Sequence, residues 1–400
     1  MAVRILITSI VPNTSNKMIF TPLLLLWTIF AFFTSNKSFI NTFFKLRIKS
    51  YAIYVWLIGY FVFFITGYAI GIDAYLLNYI RIGFSILMFD YYIELNDYKV
   101  IKKLTLVSIT LIVFVCITTI KVLSTNKDAA RILATGIEDL AQNLHGIIGG
   151  YGFIYSLVFM CIVILGCFVD GTIKKNKVLW ILILGLLLIT IFEASFMIAI
   201  ILLAAISLLI IFKVNKFSHF LFLFLLMAIF IELCLPFISD GLIFLANSVE
   251  SQSMSMRFNE LNQFIIDGNA GGTVDMGGRF NLYMISIKSF LSSPLIGVGG
   301  AYGYITFGIG GHSAFLDEIA KYGILGSASL FIGLIENMKY IYKKFDKKQK
   351  NIYMKCIVAF FILGFTNTIL FVPIIVVVFF VVPGLLIYLR DYNELKQVVK

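Results

Sequence analysis

Hydrophobic residues fill blocks of the chain from end to end, and short polar interruptions separate them. A helix needs roughly 20 mostly apolar residues to cross the hydrocarbon of a bilayer, so each long block predicts one crossing. The blocks fall near residues 18–34, 51–69, 74–93, 104–123, 151–169, 178–192, 195–212, 218–238, 322–341, 351–370 and 373–389. A shorter apolar piece at the N-terminus, which no small-residue cleavage site separates from the first block, is read as a further membrane segment and brings the expectation to about twelve. The run 178–212 is too long for one crossing, and Phe192-Glu193-Ala194-Ser195 offers its only break. The predicted fold class is an all-α polytopic membrane protein, one integral membrane domain over 1–400.

Composition sharpens this. The 400 residues are 60% hydrophobic and 13% charged, with mean hydropathy +0.98. Soluble domains carry about 25% charged residues, so a soluble globular protein is excluded and the lipid bilayer is the expected surrounding. The net charge of +11 does not point to nucleic acid, because the basic residues sit in small groups between apolar runs rather than along one face. One set of alternate connections holds Lys45, Arg47 and Lys49, then Lys99, Lys102 and Lys103, then Lys174, Lys175 and Lys177, then Lys213 and Lys216, and last Lys343, Lys344, Lys347, Lys348 and Lys350. By the positive-inside rule these belong in the cytoplasm. The other set, with the long segments 124–150 and 240–321, then faces outward. All five cysteines lie inside apolar runs without a CxxC pair, which argues against a disulfide framework or a zinc site.

The segment 240–321 differs from the rest and is read as a large outer loop before the last three helices. It is acidic at first (Asp240, Glu250, Glu260, Asp267, Asp275), then rich in glycine. An amphipathic stretch at 279–291, too short and polar to span, is expected at the membrane surface, and a second glycine cluster comes after Pro294. Long loops in compact proteins are commonly functional.

Candidate chemistry gathers there. His312 stands where the chain enters a membrane helix from outside; an imidazole there can exchange a proton near neutral pH or bind a phosphate or sugar oxygen. A surface histidine bonded within its loop is the competing account. Arg279 and Arg257 offer donor forks suited to phosphate oxygens, against the alternative of pairing with headgroups or with Glu260 and Asp275. Arg81 lies about 12 Å inside the run Asp73 to Ile93 at helical rise, with Glu232 at comparable depth as a candidate partner, and a purely structural ion pair is the competing account. Asp317 and Glu318 are general-base candidates, but acidic residues in a first helical turn also favour the helix dipole, which is the preferred account of them. His145 and His219 have no comparable surroundings and are read as structural. There is no P-loop, no DxD pair, no HExxH and no GxSxG. No cofactor or metal is expected. No internal repeat is visible, which weighs against a transporter of duplicated halves.

Gly278-Arg279-Phe280, then Ser293-Pro294-Leu295-Ile296-Gly297-Val298-Gly299, then His312-Ser313 and Gly323-Ile324-Leu325-Gly326 resemble the signature region of the O-antigen ligase and polymerase superfamily. The match covers about residues 278–326. The resemblance implies a GT-C-like, metal-independent, inverting glycosyltransferase at the outer face of the bacterial cytoplasmic membrane, acting on undecaprenyl-diphosphate-linked oligosaccharide. By the same analogy Arg279 would hold the diphosphate, and His312 would orient substrate or assist deprotonation of the acceptor hydroxyl. Gly297 and Gly299 would form the turn beside them. A flippase and a chain-length regulator of the same pathway would be partners. The family often carries a basic element between its paired middle helices, where this chain has Glu193-Ala194-Ser195, so Arg257 or Arg81 would have to supply the second cation. A polysaccharide polymerase of the O-antigen or capsule type is the leading expectation. A ligase to a lipid or protein acceptor, and a flippase or transporter of lipid-linked sugars, are the rivals.

Overall fold

The structure, a computed structural model, describes residues 2–11, 16–60, 72–135, 148–214, 235–249, 252–267, 276–298 and 309–389. Every regular element among them is a helix. In chain order these are α1 (Ala2–Ile10), α2 (Asn16–Thr34), α3 (Asn36–Phe43), α4 (Leu46–Tyr60), α5 (Ile72–Glu94), α6 (Tyr98–Leu123), α7 (Ala129–Thr135), α8 (Tyr151–Val169), α9 (Lys177–Glu193) and α10 (Met197–Ile211). They continue as α11 (Leu235–Ser248), α12 (Gln252–Asp267), α13 (Met276–Ser292), α14 (Ala314–Lys343), α15 (Lys347–Thr366) and α16 (Val372–Leu389), the last with a π-helical turn at Val377–Val381. Among the described residues α6, α8, α14 and α16 are long and apolar enough to cross a membrane, and Pro22–Thr34 and Met197–Ile211 are shorter apolar helices. The chain is an all-helical membrane protein.

Most expected runs coincide with helices. The break at 192–195 is present, with α9 ending at Glu193, α10 starting at Met197, and Ser195 at φ +60° between them. The run 218–238 lies outside the described residues up to 234. Over its described parts the segment 240–321 is largely helical: α11, α12 and α13 fill much of it, the last over the amphipathic stretch expected at 279–291, and α14 begins at Ala314. The reason is local. The stretch 252–267 carries no glycine or proline, and Ser313 caps α14 by accepting from Leu316 N at 3.2 Å.

The chain divides into two compact units, residues 1–114 with 281–400, and residues 115–280. In the second, α8 is buried along most of its length and packs on α9 and α10. Leu242 and Ala246 of α11 join Met254 and Phe258 of α12 in a small apolar core. Glu193, at the junction without a basic neighbour in sequence, meets one in space: Lys127 Nζ lies 3.3 Å away.

In the first unit α16 is apolar on all sides and almost wholly buried, as expected of a helix with no polar face to turn outward. Helix α4 packs most extensively on α14 and also on α5. Arg47 of α4 pairs with Asp90 of α5 and stacks over the ring of Tyr340 of α14, 3.6 Å from its centroid. Further along α4, the Tyr51 hydroxyl donates to Tyr79 O at 3.0 Å and the Tyr54 hydroxyl donates to Glu318. As α4 advances, its partners run from 90 back to 79 and from 340 back to 318. So α4 is antiparallel to both helices, which are parallel to each other.

Candidate functional site

Helix α14 is broken at Gly323, whose φ of 59° and ψ of −168° are non-helical. The break strips neighbouring residues of their normal helical acceptors, and the turn after α13 replaces them. Ile324 N donates to Pro294 O at 2.9 Å and Leu325 N to Leu295 O at 3.1 Å, while Val298 N donates to Ala320 O at 2.9 Å. Main chain meets main chain so closely that a Cβ on Gly297 would lie 2.3 Å from Lys321 O, and one on Gly323 would lie 2.4 Å from Leu295 O. Both glycines also hold positive φ. In a membrane protein an irregular backbone must find such partners, because hydrocarbon offers none. The turn at 294–297 and Gly323 thus form one interlocked element.

Just before α14 the chain makes a second fixed turn. Gly310 N donates to Ser286 Oγ at 2.9 Å, and Ser286 Oγ donates to Asp317 Oδ1 at 2.6 Å. Ser313 N donates to Asp317 Oδ2 at 3.2 Å, Ser313 Oγ to Gly364 O at 3.2 Å, and Ala314 N to Asn367 O at 3.0 Å. Ser286, Ser313 and Asp317 are buried, whereas His312 is exposed. The imidazole therefore projects from a backbone anchored on both sides.

On the next residue the chemistry changes partners. Glu318 is buried and accepts from the hydroxyls of Tyr54 and Tyr79, the latter at 2.6 Å, while Lys321 Nζ lies 3.3 Å from its Oε1. The rings of Tyr51, Tyr79 and Tyr322 pack around that of Tyr54 beside this pair. A buried carboxylate needs a cation and donors of this kind to offset its lost hydration. Near the other end of the same three helices Asp90 receives Arg47 and, at 3.2 Å, Asn337 Nδ2, while Tyr340 donates to Glu94 at 2.8 Å. Between α13 and α14 lies an apolar cavity of about 400 Å³, bounded by Ile287, Phe290, Leu316, Ile319, Ile324 and Phe331, with Ser286 and Ser327 at its wall.

The residues singled out from sequence are distributed unevenly. His312 and Gly297 belong to the first unit, and Gly297 is joined to the break at Gly323. Arg81 is also there, partly buried on α5 two residues beyond Tyr79. Arg257 belongs to the second unit, where its guanidinium lies 2.5 Å from Glu260, the pairing weighed above as its alternative role. Arg279 sits in the first turn of α13, and its side chain lies outside the described residues. Glu232 and Gly299 lie outside them altogether. Asp317 stands in the first turn of α14, where the dipole account has it, and both carboxylates are in addition buried and committed, Asp317 to the turn at 310–313 and Glu318 to Lys321 and two tyrosines. The Glu318–Lys321 spacing of three residues was a legible signal for the pair, but nothing in sequence announced Tyr54, Tyr79 or Ser286 as partners. Among the described residues no three His, Cys, Asp or Glu side chains gather as metal ligands would.

A scan of protein-family models returned no match, and neither did a search of curated proteins.

Proposed function

We propose that this chain is a metal-independent glycosyltransferase of the polysaccharide-polymerase kind, twelve-spanning and GT-C-like, in the bacterial cytoplasmic membrane with its site facing outward. The observation that carries the reading is the fit between motif and fold. The turn at 294–297, the exposed His312 and the break at Gly323 are separate in sequence, yet the first and last interlock through their backbones and the histidine is held just ahead of the broken helix.

The reaction is built from what the residues offer. The acceptor hydroxyl of one lipid-linked repeat unit attacks the anomeric carbon of the growing chain, and the bond from that carbon to the undecaprenyl diphosphate oxygen breaks. The hydroxyl proton passes to the His312 imidazole, and the diphosphate leaves with its charge offset by Arg279 and a second arginine. Arg81 and Arg257 are the two candidates for that second cation. The apolar cavity beside Ser286 supports the reading, because it offers space of the kind part of an isoprenoid tail would need; a cavity of roughly 150 Å³ holds a benzene ring, so this one takes about two isoprene units.

Incubation of the purified protein with lipid-linked repeat units tests this. Longer lipid-linked chains are expected, formed far more slowly, though still measurably, by Arg279→Ala and His312→Ala. Transfer to a different acceptor with no change in chain length would replace the polymerase by a ligase. One observation favours a transporter of lipid-linked sugars: a broken helix beside a buried Glu318–Lys321 pair resembles the discontinuous helices of transport sites. That alternative requires Arg279→Ala to keep its flux and the wild type to build no polymer.

A further inference from the structure

Asp317 does more than cap a helix. The cap of α14 is already made by Ser313 Oγ, which accepts from Leu316 N at 3.2 Å. Both oxygens of Asp317 are directed elsewhere, Oδ1 to the Ser286 hydroxyl at 2.6 Å and Oδ2 to Ser313 N at 3.2 Å, and Gly311 N–H is a further backbone donor to it. Ser286 relays the contact to Gly310 N at 2.9 Å. Gly310, Gly311, Ser313 and Ala314 thus each have their backbone N–H fixed to a named partner, and the exposed residue of this run is His312. Asp317 is 4% exposed and Ser286 0%. A carboxylate is retained at such depth only where its hydrogen bonds offset the desolvation, and here those bonds run to the turn that carries the histidine or to the serine that holds it.

We propose that Asp317, directly and through Ser286, is the positioning residue that fixes where the His312 imidazole stands. Its kinetic consequence rests on the transferase reading, whereas its geometry does not.

The test is a double-mutant cycle on the full-length protein in lipid nanodiscs, with lipid-linked repeat units as substrate. Asp317→Asn keeps the shape and turns one acceptor into a donor facing a donor. It is expected to lower kcat about 10- to 100-fold with KM within about twofold, the range for disturbed orienting partners. On a His312→Ala background the same substitution is expected to cost nothing further, because a residue that acts through the imidazole has nothing left to position. Should Asp317→Asn not yield folded protein, Ser286→Ala enters the same cycle, with an expected loss of about tenfold, since it removes only the relay to Gly310. Losses that multiply across the cycle, or an unchanged kcat in the folded variant, overturn the proposal. A second readout needs no turnover. With 13Cε1-labelled histidine, the NMR signal that disappears in His312→Ala should shift or broaden in Asp317→Asn or Ser286→Ala, and an unmoved signal overturns the proposal. A wild type that neither lengthens the lipid-linked chain nor transfers it to another acceptor would sink the transferase reading alone, leaving the NMR outcome to decide whether Asp317 positions His312.

Discussion

Replacing Gly323 by alanine tests whether the break in α14 is a built feature. Its backbone, at φ 59° and ψ −168°, lies in a region open essentially to glycine, and a side chain forced there costs about 1–3 kcal/mol. The added Cβ would also stand 2.4 Å from the Leu295 carbonyl and 2.6 Å from Gly297 N, so the turn must retreat. Retreat breaks the bonds from Ile324 N to Pro294 O or from Leu325 N to Leu295 O, and each buried group left unmet costs about 1–3 kcal/mol. Together these give a loss of about 2–6 kcal/mol, or a fall in melting temperature of at least about 4 °C for a unit of this size. The assay is thermal unfolding in detergent read by size-exclusion fluorescence. Gly185→Ala is the control: a Cβ there meets nothing within 4 Å, so it should leave the melting temperature level or slightly raised. A Gly323→Ala protein that melts with the wild type would overturn this account. It would mean that 314–343 straightens into one continuous helix at no cost and that the turn at 294–298 is not bound to it.

The packing sets three further outcomes. Lys321→Met leaves Glu318 buried without its cation and should cost about 3–5 kcal/mol, while adding Glu318→Gln should recover most of that stability; equal melting of the single and double variants would contradict it. Arg47→Lys should destabilise by about 2 kcal/mol, because an ammonium cannot keep the contacts to Asp90 and Glu94 while stacking on Tyr340, and an unchanged melting curve would show that the fork is dispensable. With Cys234 replaced by serine and the other native cysteines (Cys116, Cys161, Cys167 and Cys356) buried, His312→Cys should react with a membrane-impermeant thiol reagent on intact cells and Lys344→Cys only after permeabilisation; the reverse pattern would invert the proposed orientation.

The all-helical membrane class was written in the chain because hydrophobic block length is a one-dimensional property, and a bilayer reads it one block at a time. Ranges for most helices, and the break after Glu193, came from the same local chemistry. What could not be read was which polar groups meet. Glu318 and Lys321 lie three apart on one helix and could be paired by eye, but Tyr54 and Tyr79 reach Glu318 from positions 264 and 239 residues away. The helix at Gln252–Asp267 was hidden too, because the polar residues and the glycine cluster after it gave that stretch the composition of a loop.

Residue order was enough to place the chain in a bilayer and to mark where glycine, histidine and arginine stand. Only folding in three dimensions made Gly297 and Gly323 two halves of one backbone contact, turned Asp317 to the turn bearing His312, and brought Lys127 to Glu193. The division has a physical cause. Transfer into lipid sums over neighbouring residues and is therefore local, whereas a buried polar group must find its partner wherever the fold brings one, however distant along the chain.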